Sequence, residues 1–119
     1  MQEYISKLYN SLVESTEKCK SNYISFSGGL DSTIIAYLLK DRIHGVSVIV
    51  SDYTAPDNTF IEIAKEEFNI PVETKYVNFE KLLPVIDELI KIFKNFNFIE
   101  IRNFVGMYLT FEMAKNNGQ

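Results

Sequence analysis

The 119-residue sequence predicts an α/β fold, a parallel sheet of about three strands with helices on both faces. Two short apolar stretches, residues 23–26 and 46–51, flank the apolar body of a helix, Ile34-Ile35-Ala36-Tyr37-Leu38-Leu39. Two such strands joined by one helix make a parallel βαβ unit, which is right-handed. A third stretch, Val72-Glu73-Thr74-Lys75-Tyr76-Val77, follows a second helical span and alternates along its length, as a strand nearer the sheet edge does.

The chain in order supports this. Tyr4, Ile5, Leu8, Tyr9, Leu12 and Val13 recur at helical spacing. Residues 2 to about 18 are therefore predicted to form an amphipathic helix packed on the core, with Lys18 and Lys20 near its negative end. The first strand is Tyr23-Ile24-Ser25-Phe26, and Ser27-Gly28-Gly29 turns it into a helix that begins at Asp31 or Ser32. Asp41-Arg42-Ile43-His44-Gly45 reads as a turn, with His44 as a surface cap at the helix end. Gly45 leads into the second strand. Asp57 is expected to cap the next helix, whose stripe is Phe60, Ile61, Ala64 and Phe68, and Asn69-Ile70-Pro71 ends it. Pro84 predicts a short turn over 79–82 and a helix only from about Leu83, buried through Val85, Ile86, Leu89, Ile90 and Phe93. Residues 95–109 suggest a loop running into a last helix with Val105, Tyr108, Leu109 and Met113 in the core.

Composition sets limits. With 46% hydrophobic and 24% charged residues the chain is soluble globular material of one domain, able to bury a core. A net charge of −4 and the lack of a basic stripe argue against nucleic acid as the main partner. Cys19 is alone, which suits the cytosol, and neither a signal peptide nor a membrane-length apolar run is apparent. A cytoplasmic protein with no membrane partner is expected.

Chemistry concentrates in Tyr23-Ile24-Ser25-Phe26-Ser27-Gly28-Gly29-Leu30-Asp31-Ser32-Thr33. Two glycines let the backbone come close to a ligand and turn several N–H groups into one concavity. The free N–H groups and positive dipole end of the following helix face the same space, forming an anion seat. Ser27, Ser32 and Thr33 add hydroxyl donors. Asp31 would repel phosphate unless a divalent cation lay between them, so the expected ligand is Mg²⁺ with a polyphosphate, Asp31 holding the metal. The plainer alternative, a Gly-Gly turn with Asp31 as an N-cap, stays open on the glycines alone. By the crevice rule for open parallel sheets, a ligand here lies beyond the carboxyl ends of the strands, beside Ser51-Asp52-Tyr53-Thr54. Asp52 reads equally as a surface carboxylate or as a group facing the ligand.

The Ser27-to-Ser32 loop has neither the Walker A ending nor the dinucleotide fingerprint. It resembles the Ser-Gly-Gly-x-Asp-Ser loop of the ATP pyrophosphatases, which cleave ATP to AMP and pyrophosphate while activating a carbonyl. With Leu30 and Thr33 it is most similar to the synthetase domain of asparagine synthetase. The similarity continues in Phe96, Asn97, Ile101, Arg102, Met107, Tyr108 and Leu109, which track a family segment that opens with Tyr-Asp and ends in Arg-x-x-x-x-Met-Tyr-Leu. The resemblance implies an adenine nucleotide α-hydrolase-like (Rossmann-like) fold with ATP and Mg²⁺ as cofactors. Phe26, Ser27, Gly28, Gly29, Leu30, Asp31 and Ser32 would bind the nucleotide. Matching Ala55-Pro56-Asp57 to the family's Ser-Pro-Asp turn puts the adenine-contacting position on Val50, with Phe26 as a second apolar wall. Arg102, one of two arginines in the chain, would reach phosphate and serve catalysis through its forked guanidinium. A surface salt bridge is its ordinary alternative.

The match has departures: Asn97 where an acid is usual, Ile99 for a threonine and Gly106 for a proline. Aspartate activation is thereby less firmly implied than ATP binding. Gln2 stands where glutamine-using relatives carry a nucleophilic cysteine, so no glutaminase is expected. The family runs on into a fourth strand and a Ser-Gly-Glu-Gly-x-Asp-Glu loop, whereas this sequence ends at Gln119. The expectation is thus a single partial ATP pyrophosphatase-like domain over 1–119, with an N-terminal helix over 1–20 and the loop-bearing region over 22–119. In the expected strand order, third-second-first-fourth, the first strand is an open edge, to be covered by the missing part of the domain, a second copy or a partner chain, with a monomer whose helix lies over that edge as the plainer alternative. The function implied is activation of a small carboxylate substrate, aspartate, as an acyl-adenylate for amidation. A non-catalytic nucleotide-binding module needing a partner, or an ATP pyrophosphatase with another acceptor, remain alternatives.

Overall fold

The computed structural model describes residues 1–52 and 57–118. Its elements are α1 (Gln2–Glu17), β1 (Tyr23–Ser25), α2 (Leu30–Leu38), β2 (His44–Val50), α3 (Asp57–Phe68), β3 (Val72–Val77), α4 (Phe79–Phe93) and α5 (Phe98–Asn116). The three strands form one parallel sheet in the order β1-β2-β3. Ser25 pairs with Val46 at one side of β2, and Val50 with Val77 at the other. This is the predicted α/β architecture.

Each face of the sheet carries its own core. On one, Phe26, Ile49 and the apolar sides of α2 and α3 bury Ala36, Leu39, Ile61 and Ala64. On the other, Val77 meets Leu82, Val85 and Leu89 of α4 and Ile101 and Leu109 of α5, with Val48 and Val50 packed against them. β2 therefore contributes alternate residues to opposite cores, as a central strand buried on both sides does. A short polar contact locks α5 to the edge strand: Thr110 Oγ1, in a residue only 3% exposed, lies 3.1 Å from Ser25 Oγ and 2.9 Å from the Met107 carbonyl.

Several expectations need correction. α1 forms over the expected span, but it does not bury its apolar stripe: Tyr4, Ile5, Leu8 and Tyr9 are 56% to 75% exposed. α2 and α3 already occupy this face of the sheet, and α1 lies chiefly against α2. Arg42 ties down its end, donating to the carbonyls of Thr16 and Cys19. α2 starts at Leu30 with Gly29 as N-cap, so Asp31 lies within the first turn and does not cap it. His44 is the first residue of β2 and not a helix cap; its N–H donates to the Asn22 carbonyl at 2.8 Å, so the ladder reaches it.

Pro84 does not delay α4, which runs unbroken from Phe79. A proline at this depth removes one intrahelical bond, to the Glu80 carbonyl. Two caps offset that loss at the start: Asp52 Oδ2 accepts from Phe79 N at 2.7 Å, and Asn78 Oδ1 from Lys81 N at 3.1 Å. Burial of Leu82, Val85 and Leu89 then carries the helix through the proline. The expected cap at Asp57 concerns a side chain outside those described, as do Ala55 and Pro56; α3 itself begins at Asp57.

α5 contains Gly106, and a Cβ there would meet nothing within 4 Å beyond the helix's own backbone. Glycine inside a helix costs about 0.5–1 kcal/mol relative to alanine. Gly106→Ala should therefore raise the unfolding free energy by about that amount in urea titration, at an unchanged denaturant slope.

Candidate functional site

β1 ends at the residue before Phe26, whose N–H still reaches the Val46 carbonyl at 2.8 Å. Beyond it the backbone breaks from the sheet. Gly28 takes φ +76°, a left-handed conformation that favours glycine, and a Cβ on it would lie 3.0 Å from Phe60 Cβ and 3.1 Å from Ile61 N. The turn thus rests directly on α3. It is braced internally as well: Ser27 Oγ accepts from Gly29 N at 3.2 Å and lies 3.2 Å from Ser32 Oγ, which donates to the Gly29 carbonyl at 3.1 Å. α2 has no side-chain cap, so its leading N–H groups stay available at the turn.

A cleft of about 900 Å³ opens at the carboxyl ends of β1 and β2, where the crevice rule puts it. Phe26, Ser27 and Val50 line it from the sheet, and Arg102 from α5. Arg102, Gly106 and Thr110 recur at four-residue spacing, so one side of α5 forms a wall. That helix is started by Asn97, whose Oδ1 accepts from Ile99 N at 3.1 Å and Glu100 N at 3.4 Å. The asparagine that departs from the family pattern is therefore an N-cap. Arg102 is exposed and makes no ion pair among the described residues.

The other loop positions sit differently. Gly28, Gly29 and Leu30 line an apolar groove of about 760 Å³ between α1, α2 and α3, on the far side of the turn. Leu30 is 74% exposed. Asp31 is exposed and Ser32 half-buried, and neither lines the cleft or the groove. Asp52 is exposed and accepts the Phe79 N–H through Oδ2 at 2.7 Å.

Sequence reasoning missed Asn58, which reaches the cleft from the first turn of α3, and Ser47, a buried strand hydroxyl beside it. The signal for Asn58 was its place just after the β2 crossover, where a helix N-terminus returns to the crevice. Among the described residues no group of three or more His, Cys, Asp or Glu forms a metal cluster, and no helix is long and apolar enough to cross a membrane.

The family model for asparagine synthase matches residues 12–119. The chain belongs to the asparagine synthase family. Among solved structures it is similar to the NH3-dependent NAD synthetase from Campylobacter jejuni subsp. jejuni NCTC 11168, in complex with the nitrate ion. The TM-score is 0.57 at 20% identity, over 96% of this chain and 52% of that one, so the two share a fold and this chain spans about half the other's length. No match was found among curated proteins. Family and fold together make this an ATP pyrophosphatase-type domain with the Rossmann-like, adenine nucleotide α-hydrolase-like architecture.

The contact of Gly28 with α3 leads to a direct test. Gly28→Ala forces a Cβ into left-handed backbone and against the α3 main chain, at a cost of about 1–3 kcal/mol. Chemical denaturation should show that loss, while Gly29→Ala, where φ is ordinary and the nearest contact is the Ser27 hydroxyl at 3.2 Å, should cost less.

Proposed function

We propose that this chain is the ATP-binding part of an asparagine synthetase-like ATP pyrophosphatase that activates a carboxylate, aspartate, as an acyl-adenylate and releases pyrophosphate ahead of amidation. The observation that carries this reading is the convergence of Phe26, Ser27, Val50 and Arg102 on one cleft at the strand ends. Phe26 and Val50 supply an apolar slot for adenine. The loop from Ser27 to Ser32 takes the pyrophosphate end, through the Ser27 hydroxyl and the uncapped N–H groups that open α2. Arg102, free of competing ion pairs, grips phosphate oxygens through two parallel N–H bonds.

Asp31 is the metal-side residue in this reading. One exposed carboxylate suits Mg²⁺, which takes one or two protein carboxylates and completes its octahedron with water and substrate phosphates. When bound, Mg²⁺ supplies charge neutralisation across the phosphates. In the reaction, a carboxylate oxygen attacks the α-phosphorus, and the bond to the pyrophosphate oxygen breaks. An amine nitrogen then attacks the acyl carbon and AMP leaves. The chain's own contribution is positioning and charge stabilisation, with no covalent nucleophile. The 1–119 span is one part of such a domain, in a cytoplasmic setting. The outer edge of β1 carries no strand among the described residues, and a second copy or a partner chain is assigned to it.

Calorimetric titration with AMP and with ATP plus Mg²⁺ tests the site. Binding of both is expected, with Asp31→Ala weakening only ATP·Mg²⁺ and Arg102→Ala weakening ATP more than AMP, each by about tenfold or more. Failure to bind either nucleotide, or equal losses on both, overturns the reading. Gel filtration over a concentration series should show self-association, or a complex once the partner chain is added; a persistent monomer under both conditions removes the edge assignment.

A further inference from the structure

Among the described residues, two buried side-chain atoms have no hydrogen-bond partner: Asn58 Oδ1 and Thr74 Oγ1. Only Asn58 lines the cleft. A buried polar atom without a partner is uncommon in a folded protein, because it loses water and gains nothing in exchange. The cleft it shares with the apolar Phe26 and Val50 also holds donors, the Ser47 hydroxyl and the Arg102 guanidinium among them, yet none of them donates to it. A carboxamide oxygen is an acceptor only, so what completes it must bring an N–H or O–H. The phosphates of a nucleotide bring none at neutral pH. The base and the sugar do.

We infer that Asn58 is a specificity-determining residue, its side-chain oxygen accepting a hydrogen bond from the exocyclic amine of adenine while Phe26 and Val50 flank the ring. This rests on the nucleotide reading above and adds a base-reading contact to it. A site built to hold an amine disfavours an analogue with a carbonyl in its place, because two acceptors then face each other and the buried oxygen stays unpaired. Hypoxanthine is that analogue.

The test is titration of the intact chain and of Asn58→Leu with ATP, ITP and 2′-deoxy-ATP, each with Mg²⁺, alongside thermal unfolding without nucleotide. Asn58→Ala serves as a second variant of smaller volume. The intact chain should bind ATP about tenfold more tightly than ITP, the worth of one buried hydrogen bond. Both variants should bring that ratio close to one, chiefly by weakening ATP. Asn58→Leu should not melt below the intact chain, because it removes an unpaired acceptor. An ATP-to-ITP ratio that is near one in the intact chain, or that survives in both variants, overturns the inference while leaving nucleotide binding standing. A loss confined to the comparison with 2′-deoxy-ATP moves the contact to the sugar and overturns the assignment to the amine. Absence of any nucleotide binding by the intact chain overturns this inference together with the reading it rests on.

Discussion

The backbone at Gly28 is the constraint from which the rest of the site follows. With φ +76° and no space for a Cβ between the turn and Phe60 and Ile61, the β1–α2 turn lies against the main chain of α3. That contact sets the distance between two successive crossovers on the same face of the sheet. It leaves Ser27 on the cleft side of the turn and Leu30 on the groove side. It also brings Asn58, about one helical turn before Ile61, to the cleft wall.

α5 supplies the opposite wall and is built for two tasks at once. Ile101, Leu109 and Met113 are buried, while Arg102, Gly106 and Met107 border the cleft. Phe98, Ile99 and Phe111 are more than 60% exposed. Apolar side chains thus occur all round this helix, which blurs the single stripe that a surface helix ordinarily shows. Its position is fixed by other means: Asn97 defines the start, and Thr110 against Ser25 ties the middle to the sheet edge.

How much of this could be read from the sequence depended on the range of the interaction concerned. β3 was legible to the residue because its period-two pattern is bounded by Pro71 and Asn78, both local signals. Ser27 could be assigned to the crevice because parallel topology sends strand ends to a common place, whereas Phe26, Val50 and Arg102 were supplied by the resemblance. The continuity of α4 through Pro84 was not legible, since one of its two caps comes from Asp52, twenty-seven positions upstream of Phe79. The exposure of α1 was equally hidden. Periodicity shows that Tyr4, Ile5 and Leu8 share a stripe, but not whether any surface is free to meet it. Asn58 escaped because a helix's first turn is read for its caps, and a polar residue there passes as one more solvated side chain.

The departures from good local folding are not scattered over the molecule. Gly106 sits inside a helix with open space where a side chain would be, Asn58 buries an oxygen without a donor, and Arg102 has no acid paired to it among the described residues. All three border the same cleft, and the uncapped start of α2 adjoins it through Ser27 and Gly29. The first two are costs to the folded chain that a small change would remove, an alanine at Gly106 and an apolar isostere at Asn58. Thr74, on β3 away from this lining, shows that such a cost can also arise singly elsewhere. Their concentration at one crevice is the pattern expected when local consistency yields to a ligand's requirements. The requirements differ in kind: volume beside Gly106, a donor for Asn58, negative charge for Arg102 and for the N-terminus of α2. Phosphate alone satisfies only the last of these. A nucleotide, with a base bearing an amine and a polyphosphate tail, satisfies all of them with one molecule.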